Sequence, residues 1–257
     1  ITAETAFVPD ADGGADLGTT SLGFNDLYLN DAGTIFFGSD QEIKIDHIHN
    51  EGLTLKNTNT ADDKPFILTL ATGETDMQAN DVLGSLRFRA PDEGTGTDAI
   101  AVSAEILAIS EGDFSSSNNA TSLHFRTGLS GAATDKMTLS SAGVLTVTGT
   151  VLATTDTDTS NTGNVTLDFA ANQNFVLTLT GNTTLVNPTT EQVGQSGFIA
   201  FIQDGTGSRT VSLGTDYETA ASAGLTLTST ANATDLVPYL VIAAGRILLG
   251  TPQLSFG

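Results

Sequence analysis

Hydrophobic and polar residues alternate along this chain in short runs, which is the spacing of β-strands and not that of a helix. The stretch MTLSSAGVLTVTG, residues 137–149, is typical. Met137 and Leu139 alternate with polar residues before a Ser-Ala-Gly break, and Leu145 and Val147 alternate with threonines after it. We predict two short strands here, each with one thin apolar row that must be buried against something.

Similar runs occur between turn signals throughout the first part of the chain. We predict strands in TIFFG (34–38), EIKIDHI (42–48), GLTLKN (52–57), FILTLA (66–71), LGSLRFRA (83–90), AIAVSAEILAIS (99–110) and TSLHFRT (121–127). The best helical candidate, residues 190–195, is at most one turn long. The pattern therefore predicts an all-β fold built from short-stranded modules.

After Thr154 the alternation is more regular, and it predicts three β-hairpins in a hairpin or sandwich-like module. The small polar residues and glycines of the intervening loops, AANQN, DGTGS and Ala244-Gly245, suit tight turns. The predicted hairpins pair 165–169 with 175–179, 198–203 with 209–214, and 236–243 with 246–250.

Two polar stretches interrupt the strand pattern and are predicted linkers, NTNTADDK (57–64) and TTDTDTSNTGN (154–164). They divide the chain into three predicted modules. These are an N-terminal β-repeat module at 1–56, a central β module at 57–153 and a C-terminal β module at 154–257.

Composition restricts the possible partners. The 30 acidic and 9 scattered basic residues give a net charge of −21, so no basic stripe is available to neutralise the phosphates of nucleic acid. The longest apolar run, 236–245, contains Pro238 and is far shorter than the roughly 20 residues of a membrane span. We therefore expect no nucleic acid and no membrane insertion. The chain begins at Ile1 without Met, which suggests a processed or truncated N-terminus.

Only 39% of the residues are hydrophobic and 6% aromatic, so a core within one chain would consist mainly of Val, Leu, Ile and Ala. Short strands can stack into a sandwich, or they can wind together with copies of themselves so that their apolar rows meet on a shared axis. Each chain of an intertwined trimer needs only one such row. The pattern therefore favours an elongated, intertwined homotrimer whose isolated monomer is not stably folded.

The segment 10–43 contains a specific order of residues. A Leu-Gly-Ser/Thr-Ser turn precedes an aromatic residue, then Leu-Tyr, then a short strand bounded by glycine. The matching residues are Leu17, Gly18, Thr19, Ser21, Phe24, Leu27 and Tyr28. In this order the segment resembles a repeat of phage tail-fibre proteins.

The segment 81–147 resembles a second module of phage tail fibres. Its order is a Gly-x-Leu-x-Phe strand, a Gly-rich loop, an Ala-x-Ile strand, Glu-Gly, x-Leu-x-Phe-x-Thr and Met-x-Leu-x-x-x-Gly. The matching residues are Gly84, Leu86, Phe88, Ala104, Ile106, Glu111, Gly112, Leu123, Phe125, Thr127, Met137, Leu139 and Gly143. Residues 164–250 resemble a hairpin module that closes such fibres, so the likeness covers most of the chain.

This resemblance implies a non-enzymatic, homotrimeric tail fibre on the virion, which attaches to the host cell surface. Its partners would be further copies of itself, other virion proteins at its N-terminal end, and a glycan or protein receptor of the host. The modules at 1–56 and 57–153 would form the shaft, and 154–257 the tip or a cap on the trimer. The alternatives are a head fibre or capsid decoration protein, and a glycan-degrading tailspike.

His47 and His49 place two imidazoles on one face of a predicted strand. On the axis of a trimer, such pairs from all three copies would surround one iron or similar ion. The simpler interpretation is an exposed strand end, and we predict neither a metal site nor a cofactor.

Two groups of carboxylates have simple structural explanations. The first lacks the spacing and terminal Glu of an EF-hand and is explained by turns: Asp10, Asp12 and Asp16. The second has the residue types of a glycan-cleaving pair but no regular β-helix coils around it, and we expect it to be solvated: Glu105, Glu111 and Asp113. The three histidines, His47, His49 and His124, form no Ser-His-Asp order, so no catalytic residue is predicted.

Overall fold

The computed structural model describes residues 16–38, 40–89 and 96–257. The regular structure in these ranges consists of sixteen β-strands and one 3₁₀ turn, Ala220–Ser222. The predicted all-β fold is confirmed. None of the described helical structure is long and apolar enough to cross a membrane.

The chain divides into two compact units, one with the described residues up to 134 and 139–144, the other with 135–138 and 145–257. The division into three modules stays a prediction.

The first unit contains an antiparallel sheet of three strands, β1 (Thr34–Phe37), β2 (Ile43–Ile48) and β3 (Gly52–Asn57), in the order β1–β2–β3. All three coincide with predicted strands. The turn between β2 and β3 is closed by a hydrogen bond from the Glu51 N–H to the Ile48 carbonyl at 3.0 Å. Asn50 adopts a positive φ of 61° there, which asparagine tolerates better than most residues.

Five more strands form a second sheet in sequential order: β4 (Val82–Phe88), β5 (Ala104–Ser110), β6 (Thr121–Thr127), β7 (Thr134–Leu139) and β8 (Leu145–Val147). The predicted Ser-Ala-Gly break is the turn between β7 and β8. There the Gly143 N–H donates to the Ser140 carbonyl at 2.9 Å, and Gly143 has a φ of 77°.

The predicted strand at 66–71 is wrong, because this segment pairs with no strand among the described residues. Pro65 precedes it and has no N–H to donate to a ladder. Ile67 and Leu68 are 74% and 63% exposed. Alternation alone does not make a strand when no neighbouring strand completes the hydrogen bonds.

The C-terminal sheet has eight strands: β9 (Thr155–Val165), β10 (Asn174–Leu185), β11 (Ser196–Gln203), β12 (Val211–Leu213), β13 (Tyr217–Thr219), β14 (Thr234–Ala243), β15 (Arg246–Leu249) and β16 (Gln253–Phe256). The main path is β12–β10–β11–β14–β15–β13, while β9 pairs with β10 and β16 pairs with β14. The sheet mixes parallel and antiparallel neighbours.

Two of the three predicted hairpins are wrong. Residues 166–169, most of the first arm of the first hairpin, lie outside the strands, and β9, which ends at Val165, runs parallel to β10. β11 and β12 each pair with β10 in parallel and not with each other. The third prediction is confirmed, since β14 and β15 are antiparallel across Ala244-Gly245. The predicted linker at 154–164 is also wrong, because it is largely strand β9. Threonine is β-branched and favours strands even where the side chains are polar.

The C-terminal unit contains a hydrophobic core of its own. The core residues, each no more than 7% exposed, are Leu167, Phe169, Phe175, Leu177, Leu179, Leu185, Ile199, Phe201, Val211, Tyr217, Val237, Tyr239, Val241, Ile247 and Leu249. The Phe169 ring packs edge-on against Phe175 and Tyr239, with centroids 5.0 and 5.2 Å apart. Five of these fifteen core residues are aromatic, so the core has more aromatic mass than the expected mixture of mainly Val, Leu, Ile and Ala.

Candidate interaction surfaces

One side of the sheet β1–β3 is apolar and open to solvent in the single chain. Residues paired across antiparallel strands point to the same side of a sheet. The register therefore collects on this side Ile35, Phe37, Ile43, Ile45, His47, Leu53 and Leu55. Leu53 is 73% exposed and Phe37 is 50% exposed, so this side lacks a cover within the described chain.

The sheet β4–β6 has an apolar side of the same kind. Its register aligns Leu86 with Ile106 and Phe125, and the neighbouring pairs add Phe88, Ala104, Ala108 and Leu123. Leu86 and Phe88 are each 51% exposed. We refer to this side and to the corresponding side of β1–β3 as the apolar faces.

The opposite side of β4–β6 is charged, and it is the more buried of the two. Glu105 is 6% exposed and accepts hydrogen bonds from Arg87 Nε at 2.6 Å and Arg126 Nη1 at 3.5 Å. The hydrogen bond from Arg87 is the main reason why the pKa of Glu105 lies below its usual value. On this side Glu105 is thus buried together with Leu107, whereas apolar residues of the other side are about half exposed.

The strands β7 and β8 continue the exposed apolar surface. Leu139, Leu145 and Val147 are 41%, 58% and 42% exposed. The thin rows predicted for 137–149 therefore exist, and the described part of the chain leaves them uncovered.

The two histidines considered as metal ligands lie beside Asp31. Its carboxylate oxygens are 3.9 Å from His47 Nδ1 and 3.4 Å from His49 Nδ1, and the two rings are edge-on with centroids 6.5 Å apart. Among the described residues, no group of three or more His, Cys, Asp or Glu side chains is arranged to hold a metal ion. Asp10 and Asp12 lie outside the described residues, and Asp16 is exposed.

The carboxylates considered as a glycan-cleaving pair are held by structural contacts. Glu105 is buried between two arginines, so the expectation that it is solvated is wrong. Glu111 accepts a hydrogen bond from the Ser141 N–H at 3.0 Å and another from the Ser141 hydroxyl, and these bonds lower its pKa. Asp113 is exposed and uses its backbone carbonyl to accept from Asn118.

The loop 204–208 of the C-terminal unit is held in one conformation by Asp204. Its Oδ1 accepts the Thr206 and Gly207 N–H groups, both at 2.9 Å, and its Oδ2 accepts Arg209 Nη2 at 2.8 Å. These bonds, with that of Arg209 as the largest contribution, lower the pKa of Asp204 to about 2. Gln203 completes the closure by accepting the Arg209 N–H at 2.8 Å. No periodicity in the sequence points to this arrangement.

The loop 216–224 lies between two cavities. A mostly apolar cavity of about 310 Å³ is lined by residues such as Ala223, Leu249, Pro252 and Leu254, and a more polar one of about 600 Å³ by residues such as Ser212, Thr215, Glu218 and Ser222. Glu218 is fixed by a two-point ion pair with Arg246, at 2.6 and 2.8 Å. The loop tip, Ala221 and Ser222, has consecutive positive φ angles, which non-glycine residues rarely adopt.

Residues 161–246 match the family model described as "Putative phage tail fibre C-terminal domain". No curated protein and no solved structure matches the chain. The matched segment runs from β9 to the first residue of β15 and includes both loops just described. This match confirms the resemblance to phage tail-fibre proteins for this domain, and a domain of this kind implies a location in the tail of the virion.

Proposed function

We propose that this chain is one subunit of a homotrimeric tail fibre that attaches the phage to its host cell surface without catalysing a reaction. The sheet β4–β6 carries the trimer part of the proposal. On one side Glu105 and Leu107 are buried within one chain, while the apolar face on the other side, with Leu86 and Phe88, lacks a cover among the described residues. A surface of this kind marks a protein–protein contact.

Copies of the same chain are the covering partners that best fit the apolar faces. In a three-fold assembly each subunit offers the same row, so apolar rows meet apolar rows on the axis. The chain carries a net charge of −21, and the apolar faces are the parts of the described sheets where copies can approach without bringing carboxylates together. Burial of a large apolar side chain contributes about 1.5–3 kcal/mol when complete, and several such residues are available in each copy.

The C-terminal unit suits attachment to a cell surface. Binding loops are commonly carried by a rigid scaffold, and the loops 204–208 and 216–224 emerge from a strand framework with a complete core. Asp204 and the Glu218–Arg246 pair hold these loops in place. The alternative role for residues 154–257 is a cap that shields the end of the trimer.

The engagement of the carboxylates supports a role without catalysis. Glu105 is paired with two arginines and Glu111 is bound by Ser141, whereas a glycan-cleaving pair needs two carboxyl groups free to face a substrate. The test is incubation of the purified chain with host polysaccharide. Release of reducing ends would contradict this part of the proposal and favour a glycan-degrading spike.

Light scattering coupled to size exclusion tests the trimer. We expect a particle of three times 26.4 kDa, which is 79.2 kDa, and on dilution no monomer that keeps the sheets β1–β3 and β4–β6 folded. A stably folded monomer of the whole chain at low concentration would contradict it.

Competition for adsorption tests attachment. The assembled chain is added to host cells before infection, and we expect fewer phage particles to bind. Unchanged adsorption, with the assembled state verified in the same sample, would contradict the attachment role. Antibody labelling of intact particles gives the position of the chain along the tail.

A further inference from the structure

Two polar atoms near the turn between β14 and β15 are buried without a hydrogen-bond partner. They are Glu191 Oε2 and the Tyr217 hydroxyl. Tyr217 is only 5% exposed. A buried polar atom left without a partner costs about 1–3 kcal/mol, so such atoms commonly have a water or ligand as a partner.

The carboxylates of Glu191 and Asp216 approach this turn from two different segments, and Tyr217 follows Asp216 directly. The Gly245 N–H donates to Glu191 Oε1 at 2.8 Å. The carboxyl carbon of Asp216 lies 3.7 Å from the position that a Cβ on Gly245 would occupy. The pairing of Tyr217 with Ile247 fixes β13 beside β15. Two carboxylates therefore flank one glycine, and the strand with Tyr217 lies directly beside it.

The charge of this cluster is not balanced by the nearest basic residue. Arg246 follows the glycine directly, but its Nε and Nη2 are bound to Glu218 at 2.6 and 2.8 Å. The Tyr217 hydroxyl is buried without a partner and can donate one hydrogen bond.

We propose that a hard divalent cation of the calcium type binds between Glu191 Oε2 and the carboxylate of Asp216, with the Tyr217 hydroxyl hydrogen-bonded to the oxygen ligands around it. Oxygen-only donors favour such cations over softer transition metals. The net charge of −21 raises the local concentration of cations. No group of three or more His, Cys, Asp or Glu side chains is arranged to hold a metal among the described residues, so this site offers only two carboxylates. Water completes the coordination, and the ion exchanges readily.

Thermal unfolding of the full chain tests this site with Ca²⁺ as the probe. We expect Tm to rise with the logarithm of the Ca²⁺ concentration and EDTA to reverse the rise. Glu191→Gln keeps an oxygen to accept from the Gly245 N–H but removes one charge, and we expect its Ca²⁺ affinity to fall about tenfold or more. The exposed Asp113→Asn variant is the control, and its response should match that of the unchanged chain.

Terbium luminescence gives a second readout, because the chain has three tyrosines and no tryptophan. Excitation of Tyr217 should sensitise a bound Tb³⁺, and Ca²⁺ should displace the signal. Tyr217→Phe should abolish it, whereas Tyr28→Phe, at an 89% exposed position, should not. A Tm independent of Ca²⁺, an equal response in Glu191→Gln, or emission that survives Tyr217→Phe would overturn the site and leave a bridging water as the partner of the two atoms. None of these readouts depends on attachment to a host.

Discussion

Asp204 is the residue on which the shape of the loop 204–208 most depends, because one carboxylate accepts from two backbone N–H groups and one arginine. Glycine allows the close approach here. Gly207 has a φ of 75°, and a Cβ on it would stand 2.5 Å from the Ser229 carbonyl oxygen. A side chain at this position would therefore force the loop apart.

The pH dependence of stability should reveal Asp204. Its pKa falls from 3.8 to about 2 on folding, so its contribution is present above pH 3.8 and is lost as the pH falls through about 2. We expect the difference in Tm between the chain and Asp204→Asn to shrink between these pH values. Thermal unfolding of both proteins measures it, and a difference that stays constant would contradict the prediction.

Single substitutions at Leu145 and Val147 test the proposed trimer. Asp at either position would bury an unpaired charge in every copy, at a cost on the order of 3–5 kcal/mol each. We expect Leu145→Asp and Val147→Asp to abolish trimer assembly in light scattering. Thr146→Asp, which points to the other side of β8, should assemble normally. Normal trimer yield from both apolar variants would place the wrong side of the strand in the interface.

Asp235 connects β14 to strand β16 and to the segment with Thr228. It is 1% exposed, and it accepts from the Thr228 N–H at 2.6 Å, the Thr228 hydroxyl at 2.8 Å and the Ser255 N–H at 2.8 Å. β16 joins β14 through only two register pairs, with an irregularity between them. This carboxylate is therefore a main attachment of the last strand.

We expect Asp235→Ala to destabilise the C-terminal unit by about 2–4 kcal/mol, since it removes a buried carboxylate that accepts three hydrogen bonds. Urea unfolding measures the loss, and hydrogen exchange should show β16 opening first. Ser229→Ala is the control and should change little. Unaltered protection of Gln253–Phe256 in the Asp235 variant would contradict the assigned role.

The sequence predicted elements well where alternation meets a visible break, as in β7 and β8 around Gly143. It failed for β9, because a run of Thr, Asp, Ser and Asn has the composition of a linker although its backbone pairs with β10. It also failed for the loop DGTGS, since a glycine-rich loop suits a hairpin and a parallel connection equally well. Strand pairing depends on distant partners, which local alternation does not specify.

The surfaces were predictable only in part. The thin rows of 137–149 are visible as alternation, but the burial of Glu105 depends on Arg87 and Arg126, which lie on neighbouring strands. The approach of Glu191 and Asp216 to Gly245 likewise requires three segments to meet. Residue types are local information, whereas these contacts arise from the register of the sheet.

At the scale of the whole molecule, the two units differ in how they bury apolar residues. The C-terminal unit has a hydrophobic core buried within one chain, although Phe198, Leu240 and Leu248 stay 36–47% exposed, whereas the sheets β1–β3 and β4–β6 leave an apolar face open. The prediction that the isolated monomer is not stably folded therefore depends on the sheets β1–β3 and β4–β6, and it stays a prediction.

We expect the isolated segment 155–257 to fold, with a single cooperative transition in thermal unfolding. If it forms the distal tip, adding it to host cells before infection should block adsorption. Folded protein that leaves adsorption unimpaired would leave only the capping role. A segment that fails to fold would contradict the conclusion that its core is complete.

A core that is complete within one chain also has an evolutionary consequence. Recombination between related phages could replace this domain as a unit, because no core residue would be left with half of its packing partners. The new domain would bring its own loops and thus a different choice of bacterium. Host range would then change by exchange of this one domain. The apolar faces of the proposed trimer would be selected only for packing against copies of the same chain.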